Sequence, residues 1–353
     1  MNTSPLKIPL TGLTKEELQL LLQEHGLDAG YAGRLLYWIY RRKVNSFEEI
    51  TDIPRKITAI LAGFSEPGII PPFSSVESED GSVKYLFRNS EGKYYESVYI
   101  PDGRRKTLCI SVQSGCRMGC TFCATGRYGW HGNLTSGEIT GQVTGIPFDV
   151  THVVFMGMGE PCDNADEVIK ACTILTSEWG LAKGRANITI STVGMLPGLE
   201  RLLNSTECNI TLSLHSPFAE ERAAIVPAEK RWPARTLVDL IKSHNPRRGR
   251  RFSVAYVMID RVNDSDAHLA ELRRMLSGTM IRVNLLPYHP LPGDVYRSSD
   301  AEKMHWFKHS LVTSGISASI RRSRGNDVYA ACGMLAATLS ANTSDEDKTN
   351  IIP

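Results

Sequence analysis

The chain has 353 residues, 42% of them apolar, which is enough for one large domain and a smaller companion. A formal net charge of +2 neither demands nor excludes a nucleic-acid partner, so local basic patches must carry that argument. No apolar run approaches the ~20 residues of a membrane span. The start, Met1-Asn2-Thr3-Ser4-Pro5-Leu6-Lys7, has no apolar signal core, and a cytoplasmic chain with no membrane partner is expected. Eight cysteines, three of them clustered, point to a reducing compartment and not to a disulfide framework.

Residues 1 to about 65 carry helical signals. Thr14 precedes Lys15-Glu16-Glu17 as a capping box, and Leu18, Leu20, Leu21 and Leu22 follow. Residues 32–43 are amphipathic and end in a basic run. Arg34, Arg41, Arg42 and Lys43 read either as a solvated face or as contacts for RNA phosphates. From about Ser74 the period changes to two, and 83–88 and 94–100 read as antiparallel strands around a Glu91-Gly92 turn. A further strand, 107–112, runs into a cysteine-rich loop. Beyond it, strands at 153–156, 187–192, 209–214, 252–258, 282–286 and 317–321 alternate with helices at 136–144, 166–177, 199–203, 235–243, 266–276 and 302–313. Repeating βα units with short apolar strands predict a parallel sheet curled as a barrel or partial barrel, with functional residues at the carboxyl ends of the strands. The polar stretch from about Ala341 is expected to be disordered.

The loop holds the most specific pattern, Cys116-Arg117-Met118-Gly119-Cys120-Thr121-Phe122-Cys123. Three thiolates in so short a loop can face one centre, and they leave a fourth coordination position open. Structural zinc normally takes four ligands, and no second pair follows nearby, so the alternatives are a half zinc site or three buried cysteines. A 4Fe–4S cube normally takes one thiolate for each iron, and three would leave one iron free. Phe122 would shield a face of such a cluster. Gly157-Met158-Gly159-Glu160-Pro161 follows the next strand, where glycines permit close backbone approach and the carboxylate suits an ammonium or a ribose hydroxyl. Ser191-Thr192-Val193-Gly194 and Ser213-Leu214-His215-Ser216 end two more strands, either as capping serines or as a polar rim. Pro246-Arg247-Arg248-Gly249-Arg250-Arg251 and Arg321-Arg322-Ser323-Arg324 are the main basic patches.

The cluster loop resembles the radical S-adenosylmethionine (SAM) enzymes. Together with Cys109, Gly-Met-Gly-Glu-Pro, Ser-Thr-x-Gly, Ser-Leu-His, Val-Asn-Leu-Leu-Pro and Ala330-Ala331-Cys332-Gly333, nearly the whole chain resembles the RlmN/Cfr family of radical SAM RNA adenosine methyltransferases. The resemblance implies an α/β fold: a partial (β/α)6 barrel with a small helical accessory domain (1–70), a short β extension (71–106), a radical SAM core (107–337) and a disordered tail (338–353). It implies a 4Fe–4S cluster on Cys116, Cys120 and Cys123, and two SAM molecules per turnover. Gly159, Glu160, Ser191, Ser213, Leu214, His215 and His289 would contact SAM. Cys332 would carry the methyl group as S-methylcysteine, Cys109 would release product through a transient disulfide with Cys332, and Glu96 would accept a proton. The implied substrate is an adenosine of 23S rRNA, tRNA or both, methylated at carbon 2. Methylation at carbon 8 and a non-catalytic iron–sulfur RNA-binding protein are the alternatives. An electron donor such as flavodoxin or ferredoxin and a monomeric state are also expected. The chain departs from the family pattern at His289, usually Asn, at Met334, usually Gln, and at Ile110-Ser111-Val112-Gln113, usually Ser-Ser-Gln.

Overall fold

The computed structural model describes residues 7–244, 249–291 and 293–336. The expected disordered tail and part of the 246–251 basic patch lie outside the described residues.

Ten strands form one sheet, and their spatial order follows the sequence. They are β1 (Ser74–Glu77), β2 (Val83–Arg88), β3 (Tyr94–Asp102), β4 (Arg105–Cys109), β5 (His152–Phe155), β6 (Ile188–Thr192), β7 (Asn209–Ser213), β8 (Phe252–Met258), β9 (Arg282–Pro287) and β10 (Ala318–Ile320). β1 to β4 pair antiparallel, and β4 to β10 pair parallel. Helices cross between all the parallel strands, giving six βα units and a closing strand. β4 pairs with β3, not with β10, so the sheet stays open and its two parallel ends face each other across a seam.

Local chemistry sets the element ends. Helix Ser136–Thr144 starts where Thr135 and Glu138 cap each other's backbone N–H groups, and helix Lys15–Glu24 starts on the Thr14–Glu17 box. The helix expected at 199–203 runs over Leu196–Ser205, because Pro197 sits in the first turn, where its missing N–H costs nothing. The strand expected at 107–112 stops at Cys109. Ile110 and Val112 instead donate their N–H groups to Val154 and Met158, and Gln113–Gly115 pairs with Trp130–Asn133.

The N-terminal helices share one apolar core with the sheet through residues such as Leu18, Leu35 and Ile39. Their basic run is partly spent on that packing. Lys43 donates to the carbonyls of Val143 (3.5 Å) and Ile146 (3.0 Å), and Arg41 to that of Gly180 (2.7 Å). Arg34 lies over Tyr31 and Arg42 over Trp38. Among the described residues no helix is long and apolar enough to cross a membrane.

Candidate active site

A cavity of about 660 Å³ runs along the concave face of the open sheet and ends at the cysteine loop. Residues that line it include Arg105, Thr107 and Cys109 on β4, Thr211, Ser213 and His215 from β7, and Arg282, Asn284 and Leu286 on β9.

The cysteine loop is held by its backbone. Cys116 N–H donates to Gly129 (2.8 Å), Thr121 N–H to Ile225 (3.1 Å) and Cys123 N–H to Cys120 (3.2 Å). Gly115 opens the loop at φ +76°, where a Cβ would stand 1.7 Å from the carbonyl oxygen of Gly129, so only glycine fits. Cys116, Cys120 and Cys123 all line the cavity. Burial pushes the Cys116 thiol up to about 12 and Cys120 well above its ordinary value, and each is raised further by the negative charge the other loop thiols would carry. Three close thiolates are stable only with positive charge among them. Among the described residues, no three His, Cys, Asp or Glu side chains converge as a single metal ion requires. Separate irons of one cube ask instead for thiolates spread around a loop, and the donor set fits that group. Phe122 meets the His215 ring edge-on at 4.9 Å.

Glu160 is buried beside this loop. Its Oε1 accepts from Cys162 N–H (2.9 Å) and from the Thr192 hydroxyl, and its Oε2 accepts from Val193 N–H (2.9 Å). A carboxylate oxygen has two lone pairs, so Oε2 keeps one to offer the cavity. Burial raises its pKa, and these donors pull it back. The glycines beside it serve protein packing first. A Cβ on Gly159, at φ +99°, would meet the Gln113 Cβ at 2.6 Å. Gln113 is the hub of this corner: its Oε1 accepts from Glu160 N–H (2.9 Å), and its Nε2 donates to Asn133 (2.8 Å) and Asp163 (2.7 Å).

Residues at the next two strand ends, Ser191, Thr192, Ser213 and His215, line the cavity. Ser191 and Ser213 hydroxyls lie 3.5 Å apart. Leu214 is fully buried in the core. His215 adopts a left-handed φ of 59°, and its Nδ1 accepts from Val257 N–H at 3.0 Å. Burial, aided by nearby Arg222, depresses its pKa to about 3. The ring is therefore neutral, and with Nδ1 accepting, the proton sits on Nε2, which makes that edge a donor. His289 bonds Ser323 at 3.1 Å, and burial lowers its pKa.

Cys332 joins the same cavity from the far end of the chain. Its segment is tied to the helix that follows the cysteine loop: Ala124 N–H donates to Gly333 (2.7 Å), and the Thr125 hydroxyl to Leu335 (2.6 Å). Met334 packs with Ala124, Leu291 and Ala331, which explains why an apolar side chain suits that position. A turn of the β extension holds the other side, through Asp80 to Gly325 N–H (2.9 Å) and Ser78 to Asp327 (2.6 Å). The Cys332 thiol is open to solvent within the cavity although protein surrounds it. That enclosure raises its pKa, with Arg321 opposing the rise. Cys109 faces the same cavity, and burial followed by the charge of Cys332 pushes its thiol up. All eight cysteines are free, so no standing disulfide joins this pair.

Glu96 lies on the same face of β3, one pleat beyond Val98, which pairs with Cys109. It is fully buried, lies 3.4 Å from the Lys84 ammonium, and accepts from Ala336 N–H at 3.1 Å. The structure thus gathers Cys332, Cys109 and the cluster loop around one space, while Glu96 is buried and is not among the residues that line it.

One residue of this site was not legible in the sequence. Arg222, on helix Ala219–Ile225, is fully buried and binds the carbonyls of Leu214 (2.9 Å), Val193 (3.0 Å) and Ser213 (3.0 Å), as well as the Glu229 carboxylate. In Glu220-Glu221-Arg222 it reads as one more surface charge; nothing in the local pattern marks it.

An open α/β barrel with three cysteines beyond its first parallel strand and a glycine–glutamate loop beyond its second defines a radical SAM enzyme. The Radical SAM superfamily profile matches residues 110–273. The chain is 43% identical over 332 residues to a probable dual-specificity RNA methyltransferase RlmN of Parabacteroides distasonis, covering 94% of this chain and 97% of that one. It is 36% identical over 338 residues to the dual-specificity RNA methyltransferase RlmN of Halorhodospira halophila, with 94% of each covered. A crystal structure of a radical SAM methyltransferase from Sphaerobacter thermophilus superposes with a TM-score of 0.87 at 36% identity, over 94% of this chain and all of that one. The chain belongs to the RlmN/Cfr family of radical SAM RNA methyltransferases, and membership implies a 4Fe–4S cluster and SAM.

Proposed function

We propose that this enzyme methylates carbon 2 of an adenosine in 23S rRNA, tRNA or both, using Cys332 as a covalent methyl carrier. The observation that carries the reading is the convergence of Cys332 and Cys109, 223 positions apart, on the cavity that also holds Cys116, Cys120 and Cys123. A 4Fe–4S cube on those three cysteines, with SAM on its open iron, would supply the 5′-deoxyadenosyl radical chemistry that the family name implies.

The chain's own residues account for the remaining needs. Cys332, as thiolate, takes a methyl group from SAM by displacement. Loss of a hydrogen atom from the S-methyl group leaves a carbon radical on Cys332, and this adds to adenine carbon 2, an electrophilic position that a SAM displacement does not reach. Glu96 removes the carbon 2 proton, and the unpaired electron of the adduct leaves with it, an electron that a 4Fe–4S cluster on Cys116, Cys120 and Cys123 would take up. The Cys109 thiolate then attacks the Cys332 sulfur; the sulfur–methylene bond breaks, a Cys109–Cys332 disulfide forms, and the methylene becomes the product methyl on gaining a proton. Glu160 with its spare lone pair, Ser191, Ser213, the backbone at Leu214, the Nε2 edge of His215 and His289 form the polar rim that would orient SAM beside Gly159.

The test has two parts. Nucleosides of ribosomal and transfer RNA, with and without the enzyme, are separated by mass spectrometry; 2-methyladenosine supports the reading, 8-methyladenosine moves it to the other branch, and neither overturns it. The Cys109→Ala variant should carry covalently bound, nuclease-sensitive RNA on a denaturing gel, and Cys332→Ala should carry none. Normal turnover by Cys109→Ala would refute the carrier mechanism.

A further inference from the structure

We propose that the open seam of the barrel, between β4 and the edge strand β10, grips one phosphodiester of the substrate RNA through Arg105, Arg282 and Arg321. The proposal rests on the reading above, which supplies RNA as substrate, and adds where its backbone is held.

Three observations lead there. First, strand parity puts these arginines on the cavity face. Arg105 shares its face with Thr107 and Cys109, and Arg282 with Asn284 and Leu286; Arg321 follows Ser319 at the end of β10. All three are exposed, and among the described residues β10 is the edge strand of the sheet. Second, the charge is one-sided. Among the described cavity-lining residues the carboxylates are Glu160, at the cluster loop, and Asp102. Asp102 is paired with Arg324 at 3.6 Å, and Arg105, Arg282 and Arg321 form no ion pair among the described residues. Burial lowers the Arg105 pKa and the positive charge of Arg321 lowers it further, opposed by Asp102 on the paired strand, so Arg105 and Arg321 stand close to each other. Third, that charge does not suit the cofactor. SAM carries a sulfonium cation, which a row of arginines repels. A phosphodiester is the complementary ligand, since guanidinium groups pair with phosphate oxygens in a bidentate fork. Thr107 and Ser319 line the same stretch, where Thr107 Oγ1 accepts from Arg105 Nε at 3.2 Å and the Ser319 hydroxyl donates to Asn284 at 3.1 Å.

The consequence is geometric. An RNA strand entering by the seam is held by its backbone below the cysteine loop, and a splayed base reaches upward to Cys332. Arg321 joins the two regions, since its charge also lowers the Cys332 pKa.

The test uses the full-length, iron-loaded protein and a substrate RNA, with affinity measured at several salt concentrations. Arg105→Gln and Arg282→Gln should each weaken binding about tenfold and reduce the salt slope by about 0.7–0.9. Arg105→Lys, which keeps the charge, should restore most of the slope, so a folding defect is told apart from a lost contact. Replacing single phosphates of the RNA by uncharged methylphosphonates should weaken wild-type binding at one position and leave the glutamine variants indifferent there. Unchanged affinity and slope in both glutamine variants overturns the seam proposal while leaving the methyltransferase reading intact. Phosphorus NMR broadening of inorganic phosphate at these arginines, without any effect on RNA affinity, overturns RNA as the occupant. Failure of the wild type to methylate any adenosine overturns the underlying reading instead.

Discussion

Arg222→Met removes a guanidinium that is fully buried and bonded to four partners. Breaking a buried ion pair from one side costs about 3–5 kcal/mol, because the remaining charge has no partner. Here the stranded group is Glu229, which would keep only Ala234 N–H, at 2.8 Å, as a donor. The carbonyls of Val193, Ser213 and Leu214 lose a donor as well, and this adds about 1 kcal/mol once water and relaxation intervene. The expected loss is about 4–6 kcal/mol, a large share of the roughly 5–15 kcal/mol that holds a domain together. Chemical denaturation of the variant, compared at equal slope with the wild type, measures it. The double variant Arg222→Met/Glu229→Met leaves no buried charge and should recover at least about 2 kcal/mol relative to the sum of the single changes. A single-variant cost below about 1 kcal/mol, or strict additivity in the cycle, would refute the reasoning, because either result means the pair does not hold these strand-end turns.

Replacing Cys116, Cys120 or Cys123 by Ala should abolish iron loading on anaerobic reconstitution, measured by iron content and by absorption near ~400 nm; stoichiometric zinc bound tightly in the wild type would count against the cluster. Methyl uptake by Cys332 should keep accelerating with pH above the ordinary thiol range, because enclosure raises its pKa and holds the thiolate fraction low at neutrality; a rate already flat by pH 7 contradicts this. His215, depressed to about 3, is neutral when folded while the unfolded chain takes up a proton below about 6.5. Its contribution is complete above that value and declines as pH falls, by about 2 kcal/mol between pH 6.5 and 5, so His215→Asn should flatten the stability profile there. An unchanged profile in the variant would show that the ring is not held neutral.

Where local signals sufficed, the sequence reading matches the structure closely. Helices at 136–144 and 266–276 and strands at 83–88 and 252–258 end where expected. Capping side chains and apolar periods act over one turn or one pleat, so they can be read without knowing what lies opposite. The order of βα units then restricts the topology to a parallel sheet, and the three-cysteine spacing marks the loop beyond its first parallel strand. The seam, the cavity and their occupants are of another kind. Lys43 reads as a free cation until Val143 and Ile146 present their carbonyls to it. Arg222 reads as a surface charge until two strand-end turns close around it. Arg105 and Arg321 stand 216 positions apart, and only the curling of the sheet makes them neighbours. The sequence by itself determined the elements, their order and the chemistry available in each loop, because these depend on interactions between near residues. Which side chains meet, and whether a charge is spent on the protein or left for a ligand, was decided by the tertiary structure alone, since burial and long-range pairing arise only when the sheet has closed over its core.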